Sequence, residues 1–496
     1  DIAKELGISQ VQVSRLEKSA LETMKKMIGS LSMVLIFILV ILTAGILNNK
    51  ISNMDVLEKT KGNTKVSSEL YKIDIDLLDY YGIGEFKTSL PVLHINTGGE
   101  QIVKARKTWA TLGILKFDEN YGERNVVEVP DISLPITINL RGASSYSGFD
   151  KNQYRIEFYK EKGDSKSTDY NLLGMGEHSE WVLNGPFLDV TMMRNHLIYK
   201  LAREIFEWAP QSRYCEVFVD GKYQGIYLAV EPVSNGRNRL NLSKFGLLTG
   251  ETSYIINRDR VETKENPIDT YGIIEGKTYN SLYISHPSYR KITKAQREWI
   301  KEDISKFEKV LYSHNFADSE KGYKQYIDMD NFVDYFIFNE VVMNRDAGNL
   351  STYAYKDLGG SLKLAVWDYN NAYDNYQWFE SDFSEFRILE NSWFDRLVQD
   401  RNFVEKVVSR YYELRKGTFD KDHMYKNIDI YEKQIEDAVE RNFAVWGYMF
   451  NEKMMNDESR MIKNYDMAIK QLKDAIEKRF EFLDNHIEDL YLNCIN

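Results

Sequence analysis

Twenty residues without a charge, Ile28 to Leu47, divide the chain and set the first limit on its architecture. As a helix rising about 1.5 Å per residue, the run spans about 30 Å, the depth of a bilayer core. A buried core helix of that length normally keeps one polar face. A signal peptide has a shorter apolar stretch. The run is therefore expected to be an uncleaved membrane anchor. Lys25 and Lys26 precede it and only Lys50 follows closely, which puts the amino end in the cytoplasm and the body outside. Residues 48–68 are polar and charged and read as a linker.

Ahead of the run, Gly7 stands among apolar Ile2, Leu6, Ile8 and Val13, and Ser9 can cap a second short helix. The segments Ile2-Ala-Lys-Glu-Leu-Gly-Ile-Ser9 and Val13-Ser-Arg-Leu-Glu17 resemble the terminal helix-turn-helix of a sporulation sigma factor. A helix pair cut this short cannot bury its apolar face. Residues 1–27 are thus expected to be a truncated remnant rather than a DNA reader. The first residue is Asp1, not Met, so residues upstream are expected.

The chain carries a net charge of −11. Six basic and four acidic groups fall in the first 50 residues, so residues 51–496 hold −13. That excludes a broadly basic nucleic-acid binder for the main body and suits cations or basic polypeptides. Two cysteines, Cys215 and Cys494, exclude a disulfide framework and a four-thiolate zinc site, leaving one bridge or two free thiols.

From about residue 69 the pattern is strand-like. Leu90–Ile95 and Ile136–Leu140 are apolar runs, and Tyr154, Ile156 and Phe158 alternate with Arg155 and Glu157. Met193, Leu197, Leu201 and Ile205 then recur at helical spacing, with Asp189 and Thr191 placed to cap the start. Asp220-Gly221 between two β-rich runs predicts a hairpin. Beyond about residue 292 helices are expected to dominate. Asp330 is the expected cap of one running through Phe332 to Val341.

Two constellations could carry chemistry. In the first, a strand ends in Arg141-Gly-Ala-Ser-Ser145, the next carries Lys151 and Arg155, and Glu231 follows the hairpin. This order matches the small lobe of protein-kinase-like enzymes, where a small-residue loop covers phosphates and a strand cation holds them. An ordinary Gly-Ser turn is the competing reading. In the second, Asp346 and Asn349 sit in a loop after a helix, and Asp368 ends the hydrophobic strand Leu364–Trp367. Phosphoryl transfer to a hydroxyl needs one carboxylate to accept the proton and oxygen ligands to hold Mg²⁺. Turn-forming Asp and Asn are the competing reading here.

With these residues the body resembles the spore coat protein H (CotH) kinase family. The matching runs include Arg141-Gly-Ala-Ser-Ser145, Val219-Asp-Gly-Lys-Tyr-Gln-Gly-Ile-Tyr227, Asn339-Glu340, Asn344 with Asp346, and Trp367-Asp-Tyr-Asn370. The resemblance implies an α+β, atypical protein-kinase-like two-lobed fold, which the apolar run 28–47 would place behind a single transmembrane helix. Residues 69–235 would form the β-rich nucleotide-binding lobe and 236–496 the mostly helical catalytic lobe. It implies transfer of the ATP γ-phosphate to Ser of basic, Ser-rich proteins of the spore coat or cell surface. Asp346 resembles the catalytic Asp, and Asp368 the metal-binding Asp with Asn349 as second ligand to Mg²⁺ or Mn²⁺. Arg141, Ser144, Ser145, Lys151, Arg155 and Glu231 are the ATP-side candidates, with Lys151 and Arg155 both open as the phosphate-holding cation. The body would face the spore coat or the outside. A non-catalytic coat or surface binding module on the same fold is the alternative.

Overall fold

The computed structural model describes residues 68–117, 122–243, 250–260, 267–377 and 382–495. The expected helix-turn-helix remnant, the apolar run 28–47 and nearly all of the linker lie outside these residues. Among the described residues no helix is long and apolar enough to cross a membrane.

Seven strands close into a barrel. They are β1 (Val92–Asn96), β2 (Thr108–Leu115), β3 (Ile132–Arg141), β4 (Gln153–Phe158), β5 (Glu180–Asn184), β6 (Ser212–Val219) and β7 (Lys222–Val230). The order around the barrel is β6-β7-β5-β4-β3-β2-β1, and a parallel β6–β1 pairing completes it. Alternation decides which side chains go inside. Ile138, Tyr154, Ile156, Trp181 and Leu183 fill the interior, together with the thiol of Cys215. Cys215 and Cys494 are both free thiols. The expected strand–turn–strand–helix–hairpin order is present, in a closed barrel. Its helices are α1 (Ser144–Gly148), between β3 and β4, and α2 (Arg194–Ala202), between β5 and β6.

The Asp220-Gly221 turn forms as expected, with φ of +47° and +81° at the two positions. The register then slips between Val217 and Phe218, and Gly225 sits at the slip with φ +84°. A Cβ there would lie 2.3 Å from Asn442 Oδ1. Gly225→Ala is expected to cost at least about 1–3 kcal/mol in a denaturant melt, from backbone strain plus the displaced amide.

The rest of the body is less purely helical than its sequence suggests. A five-stranded sheet contains β8 (Tyr254–Asp259), β9 (Pro267–Ile268), β10 (Ser281–His286), β11 (Thr352–Lys356) and β12 (Lys363–Ala365), ordered β9-β10-β8-β11-β12. Strands β8 to β10 were not expected from the sequence. The helices of this part are α3 (Lys294–Leu311), α4 (Met329–Val341), which packs on β12, α5 (Arg401–Leu414), α6 (Lys421–Trp446) and α7 (Tyr465–His486). The cap of α4 is Asp328, which accepts from Asn331 N at 3.0 Å, rather than Asp330.

Helix α6 binds the barrel through its polar side chains. Asn442 Oδ1 accepts from Ile226 N (3.2 Å) and Lys151 Nζ (2.8 Å). Arg441 pairs with buried Glu216 at 3.0 Å, and Trp446 Nε1 donates to Gln224 O at 2.9 Å.

Candidate active site

Two carboxylates occupy the junction between barrel and helices. Asp346 lies in the turn that follows α4, and Asp368 follows β12. Both are half-buried. Burial, then the charge of Asp368, pushes the Asp346 carboxyl up to about 6. Arg260 and Arg345 pull it back, and Asp259 adds to the rise. Asp368 is also raised, first by burial, while Arg141 is the largest charge lowering it and Asp259 again raises it. The two residues, twenty-two positions apart in sequence, thus share one electrostatic site.

A buried polar chain fixes their relative placement. Asn195 on α2 accepts from Tyr369 N at 2.7 Å. The Tyr369 hydroxyl donates to Asn339 Oδ1 on α4 at 3.2 Å. Asn344 Nδ2 donates to the same oxygen at 3.0 Å, and Asn344 Oδ1 accepts from Asp346 N at 3.2 Å. Asp368 itself has φ +64°, a left-handed conformation that an L-residue adopts at a cost of about 1–3 kcal/mol. Its N–H donates to Tyr199 Oη on α2 at 3.2 Å, and Ser351 Oγ donates to its Oδ2 at 3.4 Å.

The cationic side is built from the barrel. Pairing of Asn139 with Arg155 and of Arg141 with Gln153 puts both arginines outside the barrel, opposite the core-facing Tyr154. The Arg141 guanidinium lies 5.5 Å from the centre of the Trp367 ring, beside Asp368. Arg155 is 46% exposed and paired to Glu180 at 2.6 Å. Ser144 and Ser145 begin α1 immediately beyond Arg141, where Gly142 has φ +101°.

Three expectations need correction. Lys151 does not face this site. Its side chain is fully buried, its Nζ donates to Ile226 O (2.7 Å) and Asn442 Oδ1, and burial pulls its pKa well below the usual lysine range. Of the three cations, Arg141 is the one whose charge acts on Asp368. Glu231 is also fully buried, paired to Arg239 at 2.6 Å and accepting from Gln211 N at 2.9 Å. It braces the chain leaving β7. Asn349 spends its amide on the 391–392 segment: Nδ2 donates to Asn391 Oδ1 (2.9 Å), and Oδ1 accepts from Ser392 N (3.1 Å) and Oγ (2.7 Å). A metal role would require breaking the bonds to that oxygen.

Sequence reasoning missed Asp259, Tyr199 and Ser351. Only Asp259 left a signal, as the acid that follows the strand-like run Tyr254-Ile-Ile256 after Asn257 and Arg258. Among the described residues no three acidic, His or Cys side chains are grouped closely enough to hold a metal ion by themselves. The pair Asp346 and Asp368 does offer hard oxygen donors whose mutual repulsion a divalent cation would relieve.

Inner spore coat protein H of Bacillus subtilis (strain 168) is 24% identical over 249 residues, covering 49% of this chain and 60% of that protein. The chain thus aligns with less than two thirds of that relative. The CotH kinase protein family matches residues 138–483, from the end of β3 to the last turn of α7, and so takes in Arg141, Asp346 and Asp368. A match over that much of its length means that this chain belongs to the CotH kinase protein family.

Proposed function

We propose that the chain is a CotH-type protein kinase that transfers the ATP γ-phosphate to Ser of basic, Ser-rich proteins. The observation that carries the reading is the raised Asp346 carboxyl beside Asp368, with Arg141 across from them. A carboxyl held near 6 is ionised at neutral pH yet basic enough to take a hydroxyl proton. Asp346 accepts that proton, Asp368 offers its carboxylate to the cation, and Arg141 with Arg155 neutralises phosphate oxygens. Mg²⁺ or Mn²⁺, when bound, supplies charge neutralisation of the phosphates. The −13 of residues 51–496 favours a basic substrate. The spore coat is the proposed setting, in line with the name of the Bacillus relative. The run 28–47 is proposed to anchor the body at a membrane, with residues 1–27 a sigma-factor-like remnant given no role.

The test adds radiolabelled ATP, Mg²⁺ or Mn²⁺ and a basic Ser-rich peptide to the full chain. Label should reach the peptide and be lost in Asp368→Asn. Arg141→Gln should raise the KM for ATP about tenfold or more, as expected for a lost charge-assisted contact. Lys151→Met should lower stability and leave that KM alone. Transfer that survives Asp368→Asn removes the site assignment; no transfer and no ATP binding favours the binding module.

A further inference from the structure

A second cavity shares no lining residue with the carboxylate site. It is open, holds about 360 Å³, and is walled by the segment after α2 and the chain leaving β7. Arg203, Trp208, Glu231, Arg237 and Arg239 all line it. The Arg239 side chain is 0% exposed, its guanidinium lies 4.4 Å from the centre of the Trp181 ring, and only its Nη1 has hydrogen-bond partners, Glu231 Oε1 at 2.6 Å and Asn238 O at 3.0 Å. Its Nε and Nη2 are buried and have no acceptor among the described residues. Trp208 Nε1 on the same wall is likewise buried without an acceptor. A donor left unmade in this way costs about 1–3 kcal/mol, so three on one wall call for an acceptor that the described residues do not supply.

The wall has no free acid to answer them. Glu231 is committed to Arg239 and Gln211 N, and Glu207 accepts from Lys363 Nζ at 2.8 Å. Arg203 donates to Ala209 O at 3.2 Å, and Arg237 is exposed; neither forms an ion pair among the described residues. Excess guanidinium charge and unfilled N–H donors beside an indole match the chemistry of an oxyanion, which accepts several such bonds at once. We propose that this cavity binds the phosphate or carboxylate group of a small ligand, at a site separate from Asp346 and Asp368.

The experiment titrates the full chain with sodium phosphate and, separately, citrate, by calorimetry and thermal melting at constant ionic strength. One anion should bind saturably below about 10 mM and raise the melting temperature, and the better of the two identifies the group. Trp208→Phe keeps a ring and removes an unpaired donor. It should not lower the anion-free melting temperature, since an unmade donor is removed, and it should weaken binding several-fold, reaching roughly tenfold when combined with Arg237→Gln. Asp368→Asn should keep the affinity. Three results overturn the proposal: no saturable binding of either anion, equal affinity in the wild type and the double variant, or loss of binding in Asp368→Asn.

Discussion

Asp346→Asn is expected to lower phosphate transfer about 10²- to 10⁴-fold while stabilising the metal-free protein. The loss follows from the proposed role of Asp346 as proton acceptor, since an amide has no basic oxygen to offer. The stability gain follows from linkage. The folded-state carboxyl titrates at about 6, against an ordinary value of 3.8. Between these values the folded chain binds the proton better than the unfolded chain, so stability falls as pH rises through the window. Above pH 6 the ionised carboxylate carries the full cost, and below 3.8 none of it remains. For a half-buried group, screening leaves roughly 1–2 kcal/mol of a limit near 3. The variant should therefore melt higher at pH 8 and no differently at pH 3. In the wild type, kcat/KM should rise with pH across about 6 and then level, with the inflection moving lower once a divalent cation is bound. A rate independent of pH over that range, or a variant that melts lower at pH 8, would contradict the assignment.

The largest stability effect is expected at the C-terminal end of α4, just before the turn that carries Asp346. Glu340 and Arg479 form an ion pair at 2.6 Å with side-chain exposures of 1% and 0%. Every group of the pair has further partners. Arg479 donates to Glu340 O (2.8 Å) and Glu385 O (2.7 Å), and the Glu340 carboxylate accepts from Arg387 N (2.8 Å) and Ile388 N (2.9 Å). Removing the cation strands a buried carboxylate, so Arg479→Met is expected to cost about 3–5 kcal/mol. Urea melts should show a lower midpoint at an unchanged slope. Adding Glu340→Gln should recover part of the loss, because the orphaned charge is then gone. Asn339, the residue before Glu340, holds the polar chain between the two carboxylates, so the single variant should also lose phosphate transfer.

The legible features were those set by local pattern. Asp346 and Asp368 each follow an element whose periodicity is strong, and Asp220-Gly221 dictates its own turn. Arg155 could be placed on the outer face because Tyr154, Ile156 and Phe158 alternate around it. Two of the misplaced residues, Lys151 and Asn349, have partners that lie far along the chain. Nothing near Lys151 announces that its ammonium meets Asn442, 291 positions on. Asn349 reads as a loop ligand until Asn391 and Ser392 arrive to take its amide. Glu231 could have been resolved, since Arg239 stands eight positions later. Asp328 and Asp330 are equally good caps by composition, and only the start of α4 separates them. Strand β8 owes one of its two pairings to the distant β11, which its own sequence does not announce.

The grip of α6 on the barrel bears on how the molecule can move. Tilting the barrel away from the helices would pull Arg441 off Glu216, Asn442 off Ile226 and Lys151, and Trp446 off Gln224. Many phosphotransferases admit and expel their ligands by such a clam-shell swing. Here the frame is bolted across its back, so such a swing would first have to break these bonds.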